Sequence, residues 1–195
     1  MAGIKEKLGI AGEFFMSVGQ AFTRRHVKEA IKAFGMIAAK YPNIQYLVAC
    51  SDKYEPPVLE KLIGDCNIKE GRTAIIQTQY IGRDELVYLM NDTLAMVYVS
   101  DKEALGLPPL ETLACGKPSV IADTPLAHEL FGDEGFFVKD TNDPAAIAQQ
   151  LSFIVERRAD AARIVGLQKP YLERLSWSEH ITRLFVMFDD VVNKR

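Results

Sequence analysis

The apolar positions of this chain follow two patterns. Short, nearly unbroken apolar runs lie at 14–18, 44–50, 74–76, 94–99, 119–122 and 136–138. Such runs fit strands covered on both faces. Between them lie longer one-sided stripes. Val27, Ala30, Ile31, Phe34, Ile37 and Ala38 share one helical face over 24–40, with Thr23 as the N-cap. Further helices are predicted over 57–63, 84–90, 126–131, 145–155 and 159–175. A last one, over about 178–192, carries Ile181, Leu184, Phe185 and Phe188 on one face. Residues 4–8 read as the end of a helix closed by Gly9. Strands alternating with helices predict the α/β class, as a doubly wound parallel sheet of about six strands in a single domain over 1–195. No internal repeat, low-complexity segment or linker is visible.

The chain is organised around residues 100–116, SDKEALGLPPLETLACG. The apolar run 94–99 leads in as a strand. Proline suits the first turn of a helix, where its missing N–H is not needed. A helix is therefore predicted from about Pro109, with Leu110, Leu113 and Ala114 inward and Gly116 just past its end. In an open α/β sheet, ligands bind where a strand passes through a tight loop into a helix. Free N–H groups at such a helix end favour an anion. Glu103 and Glu111 flank this corner. Ser100 and Glu103 also fit a capping box, but Gly106, Pro108 and Pro109 forbid a helix running across 101–116.

Arg24, Arg25 and His26 are predicted to open the helix after Gly19. Cations at a helix N-terminus oppose its dipole, at about 0.3–1 kcal/mol each. Two readings stand level: a solvated, tolerated turn, or a seat for an anion such as a diphosphate, which arginine grips with a bidentate fork. His128 beside Glu129 invites an acid–base reading, yet adjacent helical residues do not face each other. No nucleophile elbow, Walker loop or zinc spacing is present. Trp177 reads as a core residue.

Composition narrows the partners. The 195 residues are 48% apolar and 25% charged, enough for a real core. A net charge of −3 gives no general attraction to nucleic acid or to an anionic membrane. Of three cysteines, Cys50 and Cys115 lie in apolar runs and are expected to be reduced core residues, which suits a cytoplasmic protein. No apolar stretch is long enough to span a bilayer, and residues 1–14 lack the core of a signal peptide.

The frame S-x-x-E-x-x-G-L-P-x-L-E-x-x-A-x-G-x-P, from Ser100 to Pro118, resembles the signature of the retaining glycosyltransferases of the family 4, or group 1, type. GQAFTRRHVKEAIKAF, from Gly19, is similar to that family's G-R-L-x-x-x-K-N-x-x-x-x-I-x-A-F. The segments 123–133 and 176–178 resemble its T-P-x-x-x-E-x-x-G-D and F-S-W stretches. The resemblance implies the C-terminal, donor-binding half of a GT-B architecture. It implies a nucleotide-diphospho-sugar as donor substrate; no metal ligand set is visible in the sequence, and no cofactor is expected. By position, Glu103 would contact the donor sugar, Glu111 the ribose, and Arg25 the diphosphate. Gly19, Gln20, Arg24 and the loop Ala104, Leu105, Gly106 and Leu107 would complete the donor site. The acceptor, a glycan or lipid-linked sugar, would be held by an N-terminal half that is absent, so the chain alone is expected to be inactive. Its exposed apolar face would then serve a partner or a dimer. A full-length protein would be cytoplasmic or peripheral to the membrane. Four positions depart from the family: Gln20 replaces an arginine, Ala104 a glycine, Gln79 a glycine at the end of the third strand, and 50–53 lack one after the second. These departures support an alternative class, a diverged interaction module that keeps the fold without catalysis.

Overall fold

The computed structural model describes residues 3–193. The elements in chain order are α1 (Ile4–Leu8), β1 (Glu13–Ala21), α2 (Val27–Ile37), β2 (Ile44–Asp52), α3 (Leu59–Glu70), β3 (Ile75–Thr78), α4 (Arg83–Asp92) and β4 (Met96–Tyr98). They continue with α5 (Leu107–Ala114), β5 (Ser119–Ala122), α6 (Pro125–Phe131), β6 (Phe136–Val138), α7 (Pro144–Glu156), α8 (Arg158–Glu173) and α9 (Trp177–Asn193). The six strands are all parallel, in the order β3-β2-β1-β4-β5-β6. Winding reverses between β1 and β4, so the loops leaving those two strands diverge around a crevice.

The apolar strand runs are explained by burial on both faces. Along β1, Phe15 faces one core while Phe14 and Met16 face the other. Val97 and its neighbours Met96 and Tyr98 divide the same way on β4, as Val120 and Ile121 do on β5. One face is covered by α2, α3 and α7, and the other by α1, α4, α5 and α6. Helix α8 serves both, through Ile164 on the first side and Val165 on the second. At roughly 1.5–3 kcal/mol for each fully buried large apolar side chain, these two layers hold the fold.

Several boundaries differ from the sequence reading. Residues 23–25 form a separate 3-10 turn, and α2 begins only at Val27. The cause is His26, whose φ of 46° belongs to the left-handed region and cannot continue a right-handed helix. Thr23 therefore does not cap α2. Helix α3 extends to Glu70, well past 63, because its polar residues hid it from an apolar reading. The buried side of α5 is Pro109, Leu110, Thr112 and Leu113, which leaves Ala114 exposed. Trp177 is 80% exposed rather than packed in a core. It belongs to α9, in which no residue is buried. The one-sided apolar face of that helix is a surface stripe, with Phe185, Phe188, Val191 and Val192 each more than half exposed. Among the described residues, no helix is long and apolar enough to cross a membrane.

Candidate functional site

Strand β1 outlasts β4. With Met16 paired to Met96, Tyr98 lies level with Val18, and the loop leaving β4 starts beside Gly19 and Gln20. Gly19 is required there: its φ is 108°, and a Cβ would stand 2.8 Å from Nη1 of Arg25. The missing side chain lets Arg25 fold back over the end of β1.

Arg25 then meets Glu103 across the crevice. Its Nε donates to Oε1 of Glu103 at 3.0 Å, and Nη1 donates to the Gln20 carbonyl at 3.3 Å. Its guanidinium lies 5.0 Å from the ring centroid of Tyr98. Tyr98 and Ser100 also donate to Oε1 of Glu103, at 2.9 and 3.0 Å. Three donors thus converge on one oxygen. Oε2 has no hydrogen bond among the described residues, and it is not among the buried unsatisfied atoms, so it faces open space. Nη2 of Arg25 is likewise without a hydrogen bond among the described residues. Burial alone pushes the Glu103 carboxyl up, but the hydroxyls of Tyr98 and Ser100 and the charge of Arg25 outweigh it and hold the group below its ordinary value. Burial, then the bond to Glu103, pushes the Tyr98 phenol up, so it stays a donor.

The loop after Glu103 supplies a second set of donors. The N–H groups of residues 104–107 make no hydrogen bond among the described residues. Gly106, at a φ of 74°, is the N-cap of α5, and Pro108 and Pro109 carry no N–H. The helix end therefore presents its few free donors beside Glu103 rather than spending them on its own cap. A small cavity of about 40 Å³ opens at the same place, between Glu103, Gly106 and Leu105 on one side and Thr124 and Ala127 on the other. A wider cleft of about 480 Å³ lies farther along the carboxyl edge of the sheet, lined by Ser51, Asp52, Glu60, Thr78 and Gln79. Asp52 is committed there to structure: its carboxylate accepts the N–H groups of Tyr54, Val58 and Leu59 and fixes the start of α3.

A sequence profile described as "Glycosyl transferases group 1" matches residues 4–166. This chain belongs to that family. The group 1 chain is similar to the serotype-specific mannosyltransferase WbdA of Escherichia coli, at 27% identity over 135 residues, 67% of this chain and 16% of that protein. It is similar to the O-antigen chain mannosyltransferase RfbU of Salmonella typhimurium, at 23% identity over 130 residues, 67% of this chain and 35% of that protein. Its fold matches an alpha,alpha-trehalose 6-phosphate synthase from Burkholderia multivorans with a TM-score of 0.82 at 16% identity, over 99% of this chain and 46% of that one. A UDP-forming trehalose-phosphate synthase from Burkholderia vietnamiensis gives 0.80 at 16%, over 97% and 47%. The likeness in fold is to one half of a GT-B architecture, and the chain spans less than half of those solved chains.

Within this group 1 domain the expected site residues divide. Gly19, Arg25, Glu103 and Gly106 come together at the crevice, with Leu105 on the wall of the small cavity and Ala104 and Leu107 exposed along the loop. Gln20 is exposed and lends the cluster only its carbonyl. Arg24 does not reach Glu103; its guanidinium stacks over Phe22 at 4.6 Å. Both arginines precede α2 rather than lying in its first turn. Glu111 is exposed on α5; its carbonyl accepts the Cys115 N–H at the end of that helix, and its carboxylate has no hydrogen bond or ion pair among the described residues. The pairing of Ser100 with Glu103 is real but is a contact between side chains, not a helix cap. His128 turns to Asp123, with Nε2 to Oδ1 at 2.7 Å, rather than to Glu129. Tyr98 was not singled out from the sequence. The signal was available as a tyrosine closing an apolar strand just before the loop.

Cys50 and Cys66 are buried and Cys115 is half-buried; burial pushes the Cys50 thiol up to about 12, which leaves it unreactive.

Proposed function

We propose that this domain binds the nucleotide-sugar donor of a retaining glycosyltransferase that transfers a hexose to a glycan or lipid-linked acceptor in polysaccharide assembly. The observation that carries the reading is the pairing of Arg25 with Glu103 across the crevice, each with one polar group left open beside the free N–H groups of 104–107. In this reading Nη2 of Arg25 and those N–H groups take the diphosphate. Negative charge develops on the diphosphate as the bond to the sugar breaks, so fixed donors there stabilise the transition state. The open Oε2 of Glu103 accepts sugar hydroxyls, and its ionised state is what that role needs. Glu111, free on the exposed side of α5, accepts the ribose hydroxyls. The acceptor is held by a second half of similar size, and the apolar stripe of α9 is a surface for that half or for a second copy of the chain. The similar mannosyltransferases make mannosyl donors the first to try.

The reading is tested by calorimetry with UDP, GDP and ADP on wild type, Arg25→Ala and Glu111→Ala. Binding of one nucleotide by wild type, weakened at least about tenfold in either variant, is expected. Equal affinity in all three proteins would refute the assignment. The alternative, an interaction module without catalysis, draws on the uncharged Gln20 and the methyl of Ala104. It would be favoured by the absence of any thermal shift with a nucleoside diphosphate at millimolar concentration.

A further inference from the structure

Two other contacts, both made by Asp101, join the same loops as the Arg25–Glu103 pair. The N–H of Asp101 donates to the carbonyl of Arg24 at 3.0 Å. Nε2 of His26 lies 2.6 Å from Oδ2 of Asp101. His26 is 5% exposed and is the one non-glycine residue with positive φ among the described residues. Left-handed backbone at a side chain with a Cβ is strained and persists only where the surroundings hold it. That strained turn is what separates Thr23–Arg25 from α2. Without it the three residues could continue the helix, which would rotate Arg25 away from Glu103.

We infer that His26 and Asp101 form a latch between the loops leaving β1 and β4, and that this latch positions Arg25 against Glu103. His26 is a positioning residue in this scheme, acting through its neighbour. Its other ring nitrogen, Nδ1, faces Oε2 of Glu29 at 3.8 Å. Glu29 is in turn paired with Lys28 at 3.3 Å, and Lys28 lies over Tyr54. The imidazole therefore lies between two carboxylates, hydrogen-bonded to Asp101 from the loop after β4 and near Glu29 of α2. Arg24 stacks on Phe22, so Arg25 is the guanidinium that reaches Glu103, and a single cation binds a diphosphate best when its geometry is set in advance. The link to diphosphate rests on the donor-site reading; the link to Glu103 does not.

The test compares wild type, Asp101→Ala and Asp101→Asn, because asparagine keeps an oxygen for the His26 ring. Three quantities are read: amide hydrogen exchange at residue 101, the NMR titration of the Glu103 carboxyl, and affinity for GDP and for inorganic pyrophosphate. In Asp101→Ala, exchange at 101 should rise about tenfold, the Glu103 titration should move up toward that of a free glutamate, and affinity should fall about tenfold. Asp101→Asn should restore most of each. His26→Gly, which removes both the ring and the strain, should behave like Asp101→Ala. An unchanged Glu103 titration in Asp101→Ala would overturn the latch, and so would failure of Asp101→Asn to restore it. If wild type binds neither GDP nor pyrophosphate, the donor-site reading fails, and the Glu103 titration still decides the latch.

Discussion

Removing the Tyr98 hydroxyl isolates one of the three contacts that hold Glu103. Tyr98→Phe keeps the ring beneath Arg25 and the approach to Gly106, and deletes one 2.9 Å hydrogen bond to Oε1. A hydrogen bond to a charged group contributes about 1.5–3 kcal/mol. The Glu103 side chain is 18% exposed, so water replaces part of the lost donor, and a net loss of about 1 kcal/mol is expected. For a chain of this length that corresponds to a fall in Tm of roughly 2–4 °C. The pH dependence has a definite sign. Burial raises the Glu103 carboxyl, the hydroxyls and Arg25 lower it further, and the net value lies below the ordinary 4.5. A carboxylate depressed on folding contributes stability that is full above its unfolded value and is lost as the pH falls through its folded value. The gap between wild type and Tyr98→Phe should therefore be full at pH 7 and narrow below about pH 4.5. Urea unfolding of both proteins at pH 7 and at a series of acidic values measures it. Equal stability at pH 7, or a gap that widens on acidification, would refute the reasoning.

Three further outcomes follow from the same geometry. Gly19→Ala places a Cβ 2.8 Å from the Arg25 guanidinium on backbone at a φ of 108°; a loss of about 1–3 kcal/mol is expected in urea unfolding, together with weaker diphosphate binding by calorimetry. Asp52→Ala removes the acceptor for three N–H groups at the start of α3; it should cost about 0.5–2 kcal/mol, read by thermal unfolding. Phe185→Glu with Phe188→Glu should change monomer stability by less than about 0.5 kcal/mol, since α9 buries no residue. The same pair should abolish any concentration-dependent self-association seen in sedimentation of the wild type; persistence of that association would remove α9 as the contact surface.

The sheet was legible because its strands are buried on both faces, so six apolar runs stood out without alternation. The glutamate corner was legible because Gly106, Pro108 and Pro109 leave few local conformations open. The start of α2 was not, because nothing local announces that His26 will adopt left-handed backbone; a contact to Asp101, seventy-five positions away, accompanies it. The role of Tyr98 was hidden for a similar reason. Its burial was evident, but the direction of its hydroxyl depends on where Glu103 turns. Trp177 and Ala114 show the limit of reading apolar residues as core. Amphipathicity marks a face to be covered, and among the described residues nothing covers the face of α9.

In the proposed donor site a diphosphate lies between Arg25 and the loop after Glu103. Titrating the nucleoside diphosphate that binds tightest into isotope-labelled protein, and following backbone amide shifts by NMR, locates the ligand directly. The largest shifts are expected at residues 19–26 and 103–107, with a smaller set around Glu111. Shifts confined to another face, or none at saturating ligand, would contradict the account.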